Sequence, residues 1–125
     1  MGMLSGIMGN VSEVDPEKLE KEFKDIIFQG EKITQSFKLI RDLVVFTSKR
    51  LILVDKQGLT GKKVEYRTIP YKSIIQFSVE TSGHFDLDSE LKIWLSGIND
   101  PIKKQFKKGS NIRAIQNTLA QHMLG

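Results

Sequence analysis

A chain of 125 residues, 39% apolar and 27% charged, has the size and composition of one folded globular domain. It has no cysteine, which excludes disulfides, thiolate metal sites and a cysteine nucleophile. The net charge of +4 permits attraction to phosphate or anionic lipid without requiring it.

No segment approaches the ~20 apolar residues of a membrane span. Residues 1–9 lack the positive charge and apolar run of a secretion signal. The expectation is a cytoplasmic protein, with peripheral contact to a membrane as the alternative.

Residues 1–11 place Leu4, Ile7, Met8 and Val11 at helical spacing. Gly2, Gly6 and Gly9 interrupt them, each costing a helix about 1 kcal/mol relative to alanine. Such a segment needs a surface to dock on. It has no lysine or arginine for a membrane-facing helix, so the expected surface is its own chain or a second copy.

A firmer helix follows. Asp15 suits the N-cap and Pro16 the first helical position, where its missing N–H would be unpaired anyway. Leu19, Phe23, Ile26 and Ile27 then form one apolar stripe, and Gly30 is placed to end the helix.

From residue 31 the period changes to two, with Ile33, Gln35, Phe37 and Leu39 expected on one face. The apolar runs 43–46 and 51–54, joined by Thr47-Ser48-Lys49-Arg50, read as a hairpin. Turn residues at Gln57-Gly58 and Thr60-Gly61 lead into a third strand of that group at 64–69. Further strands are expected at 74–81 (Ile75, Phe77 and Val79 on one face), at 90–96 (Leu91, Ile93 and Leu95) and at 102–107. A closing helix over 111–124 takes its cap from Ser110 or Asn111 and lines Ile112, Ile115, Leu119 and Met123 along one face.

No repeat or linker interrupts the chain, so one domain is expected over residues 1–125. It comprises a helical segment 1–30, a seven-stranded antiparallel barrel or sandwich 31–108, and a helix 110–124 capping its open end.

Three stretches carry a family resemblance. They are Phe46-Thr47-Ser48-Lys49-Arg50-Leu51-Ile52-Leu53-Val54-Asp55-Lys56-Gln57-Gly58-Leu59-Thr60-Gly61-Lys62-Lys63, then Ile69-Pro70-Tyr71-Lys72-Ser73-Ile74, and Phe77-Ser78-Val79-Glu80-Thr81-Ser82-Gly83-His84-Phe85-Asp86-Leu87-Asp88-Ser89-Glu90-Leu91-Lys92-Ile93-Trp94. Together they resemble the short bacterial pleckstrin-homology (PH) domain proteins. The resemblance implies a mainly β PH-like fold with helices and a tendency toward ring-shaped homo-oligomers. It supplies no catalytic residues. Eukaryotic PH domains that bind inositol phosphates use a basic first hairpin; the corresponding place here offers only Lys38 and Arg41.

The residues themselves suggest no enzyme. His84 and His122 lie in different elements without partners at useful spacing. Asp86, Asp88 and Glu90 lack the glycine and closing acid of a calcium loop. The stretch Gly58-Leu59-Thr60-Gly61-Lys62-Lys63 joins two strands rather than opening a helix, so it has no phosphate cradle. No metal or other cofactor is expected.

Two basic clusters are candidate anion sites: Lys56, Lys62, Lys63 and Arg67, and Lys103, Lys104, Lys107 and Lys108. They would suit an anionic membrane surface. Interleaved aromatics are too few for nucleic acid.

The stronger signal is apolar. The runs at 43–46 and 51–54 offer apolar side chains to both faces of a strand, as does Ile93-Trp94-Leu95. Continuous apolar strands occur where both faces are covered. The helix bearing Leu19, Phe23, Ile26 and Ile27 can cover some of this surface, and another subunit is expected to cover more, with covering by the chain's own helices alone as the alternative. Val44, Phe46, Ile52, Val54 and Trp94, with Leu4, Ile7 and Met8, are therefore the expected interface residues. The functional expectation is a self-assembling binding or scaffold domain, with an anionic-lipid or phosphate adaptor as the alternative.

Overall fold

The computed structural model describes residues 14–39, 42–57, 62–81, 89–107 and 110–125. They fall into two compact units, one within residues 14–70 and the other within residues 71–125.

The first unit opens with helix α1, Pro16–Glu22. Asp15 caps it by accepting the Glu17 N–H at 3.1 Å, and Pro16 takes the first position. The helix stops well before Gly30. Residues 23–27 continue as turns, with the Ile26 and Ile27 amides both donating to the Phe23 carbonyl. Gly30 then adopts φ of +94°, a conformation that favours glycine.

Four strands follow: β1 (Ile33–Lys38), β2 (Leu43–Thr47), β3 (Arg50–Gln57) and β4 (Lys63–Pro70). They form an antiparallel sheet in the order β1-β2-β3-β4. Val45 faces Ile52, and Leu43 faces Val54 across the hairpin. Side chains alternate between faces, so Val45, Ile52 and Val54 share one face, where they pack with Leu19, Phe23 and Ile33. Val44, Phe46, Leu51 and Leu53 point to the other face and are equally buried. There Phe37 meets Phe46 edge-on at 6.0 Å.

The alternation expected for β1 is broken. A register shift between Ile33 and Gln35 sets Ile33 on the α1 side and Phe37 on the opposite one.

The second unit holds a 3₁₀ turn (Tyr71–Ser73), β5 (Ile74–Glu80), β6 (Ser89–Leu95), β7 (Ile102–Phe106) and helix α2 (Ile112–Leu124). Its sheet has the order β5-β6-β7 and is antiparallel. Leu91, Ile93 and Leu95 are buried on one face, as their alternation requires, together with Phe106. A second register shift, between Ile74 and Gln76, takes Ile75 out of the expected alternation and leaves it 60% exposed. Asn111 caps α2 through its side-chain oxygen, which accepts the Ala114 N–H at 3.1 Å. Ile115 and Leu119 are the buried part of that helix's stripe.

The described residues therefore hold seven strands in two antiparallel sheets, with helices toward both ends of the chain. This is the mainly β arrangement of a PH-like fold. Its strands pair as four and three rather than as one closed barrel.

Candidate functional site

The densest polar chemistry among the described residues surrounds Glu31, which is buried at 3% exposure. Arg50 grips its carboxylate with two donors, Nε to Oε2 at 2.8 Å and Nη2 to Oε1 at 3.0 Å. The Thr47 hydroxyl donates to Oε2 at 2.6 Å, and the Phe28 N–H to Oε1 at 3.1 Å. Arg50 also donates from Nη2 to the Ile26 carbonyl and from Nη1 to the Thr68 hydroxyl, both at 2.7 Å.

Burial pushes the Glu31 carboxyl upward. Arg50, Thr47 and the Phe28 amide outweigh that and hold it below its ordinary value. With its acceptors occupied and its charge matched, Glu31 is a poor base for outside chemistry. It acts as a latch joining the turn after α1 to the β2–β3 hairpin. No spacing rule marks this pair in the sequence, since its members lie in separate elements 19 residues apart.

The expected interface residues separate. Val44, Phe46 and Ile52 are 0% exposed and Val54 is 2% exposed. The expectation that they wait for a second subunit is therefore corrected: their own chain buries them. Ile52 and Val54 lie in the cluster with Leu19 and Phe23 of the α1 segment, while Val44 and Phe46 are buried on the opposite face. Leu4, Ile7 and Met8 lie outside the described residues.

Trp94 differs. It sits on the central strand β6, on the face opposite Leu91, Ile93 and Leu95, and is half-buried. Gln76 lies across from it on β5. The same face carries Lys92, whose ammonium lies 3.7 Å from Glu80 and 3.9 Å from Glu90.

The basic residues are dispersed. Lys56, Lys62, Lys63 and Arg67 are exposed. Lys56 shares a face with Val64, its partner across the ladder, whereas Lys63 and Arg67 project to the other face with Asp55 and Glu65 among them. Lys103 and Lys107 are exposed and Lys104 is half-buried. Lys103 stands opposite Lys92 in the β6–β7 register, and Lys108 lies outside the described residues. Among the described residues, this layout brings neither group into a single cage around an anion.

His122 stacks on Tyr71 with ring centroids 3.9 Å apart and planes 4° from parallel. Burial holds its imidazole below the usual value, so it is neutral at neutral pH. His84, Asp86 and Asp88 lie outside the described residues. Among the described ones, no three His, Asp or Glu side chains gather as metal ligands, and no helix is long and apolar enough to cross a membrane.

Comparison with known proteins places this architecture. The bacterial PH domain family matches residues 2–123, and the chain belongs to that family. The uncharacterised protein YjqA of Bacillus subtilis (strain 168) is 58% identical over 121 residues, covering 96% of this chain and 97% of YjqA. The crystal structure of a pleckstrin homology domain from Shewanella amazonensis SB2B has a TM-score of 0.86 and 53% identity, covering 98% of this chain and 99% of its own. A DUF1696 family protein with a pleckstrin-homology domain from Shewanella loihica PV-4 has a TM-score of 0.81 and 50% identity, covering 90% of this chain and 97% of its own.

Proposed function

We propose that this chain is a non-enzymatic binding and scaffold module that assembles with copies of itself, and that Trp94 anchors the contact. The observation that supports this reading is the outward face of the β5–β7 sheet. Trp94 is the only tryptophan in the chain, and it sits on a face otherwise made of polar and charged side chains. Ile75, 60% exposed, lies at the register shift beside it.

An aromatic anchor within a polar rim is the composition of a protein-binding patch. Glu80 and Glu90 beside Lys92 and Lys103 give the patch both signs of charge, which suits a copy of itself better than a uniformly charged partner. An enzyme is disfavoured because Glu31, the buried carboxylate among the described residues, is saturated by its partners.

Light scattering at micromolar concentration tests the reading. The wild type is expected well above monomer mass, and Trp94→Ala is expected to lower that mass. A monomeric wild type would remove the reading. If that monomer also sedimented with anionic vesicles and was released by salt, the membrane-adaptor alternative would replace it.

A further inference from the structure

The stripe Leu19, Phe23, Ile26 and Ile27 suits one helix running from Pro16 to the glycine at 30. The helix in the structure ends at Glu22. Its ladder reaches the Phe23 N–H, which donates to the Leu19 carbonyl, and then breaks. Among the described residues, the Lys24 and Asp25 amides meet no backbone carbonyl. Neither glycine nor proline stands at 23–27 to stop the helix there.

The latch supplies the reason. In a continued helix the Phe28 N–H would donate to the Lys24 carbonyl, and the Ile26 carbonyl would accept the Gly30 N–H. In the structure the Phe28 N–H donates to Glu31 Oε1 at 3.1 Å, and the Ile26 carbonyl accepts Arg50 Nη2 at 2.7 Å. Each member of the ion pair thus holds one backbone group that the missing turns of helix require.

The rest of the segment already suits the longer helix. Gly30 has φ of +94°, the left-handed conformation of a residue just beyond a helix end. With Gln29 as the C-cap, the Gly30 N–H would return to the Ile26 carbonyl, the group that Arg50 now occupies. Ile26 and Ile27 are only half-buried and Phe28 is 55% exposed, so the turns hide little apolar surface that a helix would uncover. On a helix, Ile26 and Ile27 would follow Leu19 and Phe23 along one face. Glu20 and Lys24 would then stand one turn apart in the favourable order.

We propose that residues 23–30 form a two-state segment governed by the Glu31–Arg50 pair. With the pair closed they adopt the observed turns; with it open, α1 extends through Phe28 and is capped by Gln29 and Gly30. The device converts the state of one ion pair into the length of the helix that covers the β1–β4 sheet. Opening also draws the turn at residues 28–31 away from the β2–β3 hairpin. Packed elements of this kind have discrete alternatives rather than a continuous range. The proposal is independent of the self-assembly reading and of the Trp94 face.

The test removes the latch without stranding a charge. Glu31→Met with Arg50→Met takes away both charges, fills a similar volume and offers the two backbone groups no substitute partner. In NMR spectra of the full chain, the Cα shifts of residues 24–28 are expected at turn values in the wild type and at helical values in this variant. The Lys24 and Asp25 amides should gain roughly tenfold protection from hydrogen exchange. Adding Lys24→Gly and Asp25→Gly, both at exposed positions, should lower the helix-to-turn ratio roughly fivefold.

Shifts that stayed at turn values, or fell to coil values, with the sheet resonances intact would overturn the proposal. So would a helical gain indifferent to the two glycines. If the double variant lost its sheet resonances, Glu31→Ala alone decides by the same shifts. That change frees the Phe28 N–H, and Arg50, whose side chain is 18% exposed, can turn to solvent.

Discussion

The two units conceal their apolar side chains by different means. In the β1–β4 sheet both faces of β2 and β3 are buried, one of them beneath the α1 segment. In the β5–β7 sheet only alternate residues of β6 are buried, and the other face keeps glutamates, lysines and Trp94. A strand that is apolar throughout thus needs no foreign partner when its own chain supplies both covers. The alternating sheet instead keeps one aromatic, Trp94, on its polar face, where the proposed contact lies.

The largest effect expected on the first unit is at its latch. Arg50→Ala would strand the Glu31 carboxylate, 0% of whose side chain is exposed, without its cation. Removing one member of such a pair costs about 3–5 kcal/mol, measurable by urea unfolding.

The latch also sets a pH dependence. The folded-state carboxyl of Glu31 lies below its ordinary value, so the unfolded chain takes up its proton first. The stability from this group is therefore complete above the unfolded carboxyl pKa of about 4.3 and is lost as pH falls through the folded value. Glu31→Gln should flatten that part of the acid limb. An unchanged limb would show that the pair contributes little to folding.

Next in size is Ile52→Ala, which tests whether this side chain belongs to a core or to an interface. A fully buried isoleucine cut to alanine costs about 2–5 kcal/mol. The expectation is a loss of that order with no change in oligomeric mass at temperatures where the variant stays folded. A lower mass with stability intact would return Ile52 to the list of interface residues and undo the contrast between the two sheets.

Much of this architecture is legible from local chemistry. Asp15, Pro16 and Asn111 announce the helix starts through the backbone amides they satisfy or do without. The alternation of Leu91, Ile93 and Leu95 correctly gives the buried face of β6. The two register shifts are not legible, because a single extra residue in a strand leaves no compositional trace, yet it reverses the facing of Ile33 relative to Phe37 and takes Ile75 out of its pattern. The Glu31–Arg50 pair is hidden for another reason: only the fold brings its members together. Of the candidate site, Trp94 could be picked out early as a large aromatic among strand residues. Val44, Phe46, Ile52 and Val54 were equally apolar, and periodicity could not say whose surface would cover them.

The smallest effect compares one turn from each unit. Gly30 has φ of +94° and Gly97 φ of +81°, and an added β-carbon at either would meet nothing within 4 Å. With no clash, the cost of Gly→Ala is the left-handed backbone penalty alone, about 1–2 kcal/mol. Gly30→Ala and Gly97→Ala are therefore expected to lose similar stability in parallel urea titrations, although Gly30 immediately precedes Glu31. A clearly larger loss at Gly30 would mean that the turn and the latch behave as one unit. In that case the extra cost should shrink in the Glu31→Gln background, where the carboxylate is already gone; an extra cost that survived there would assign it to the turn itself.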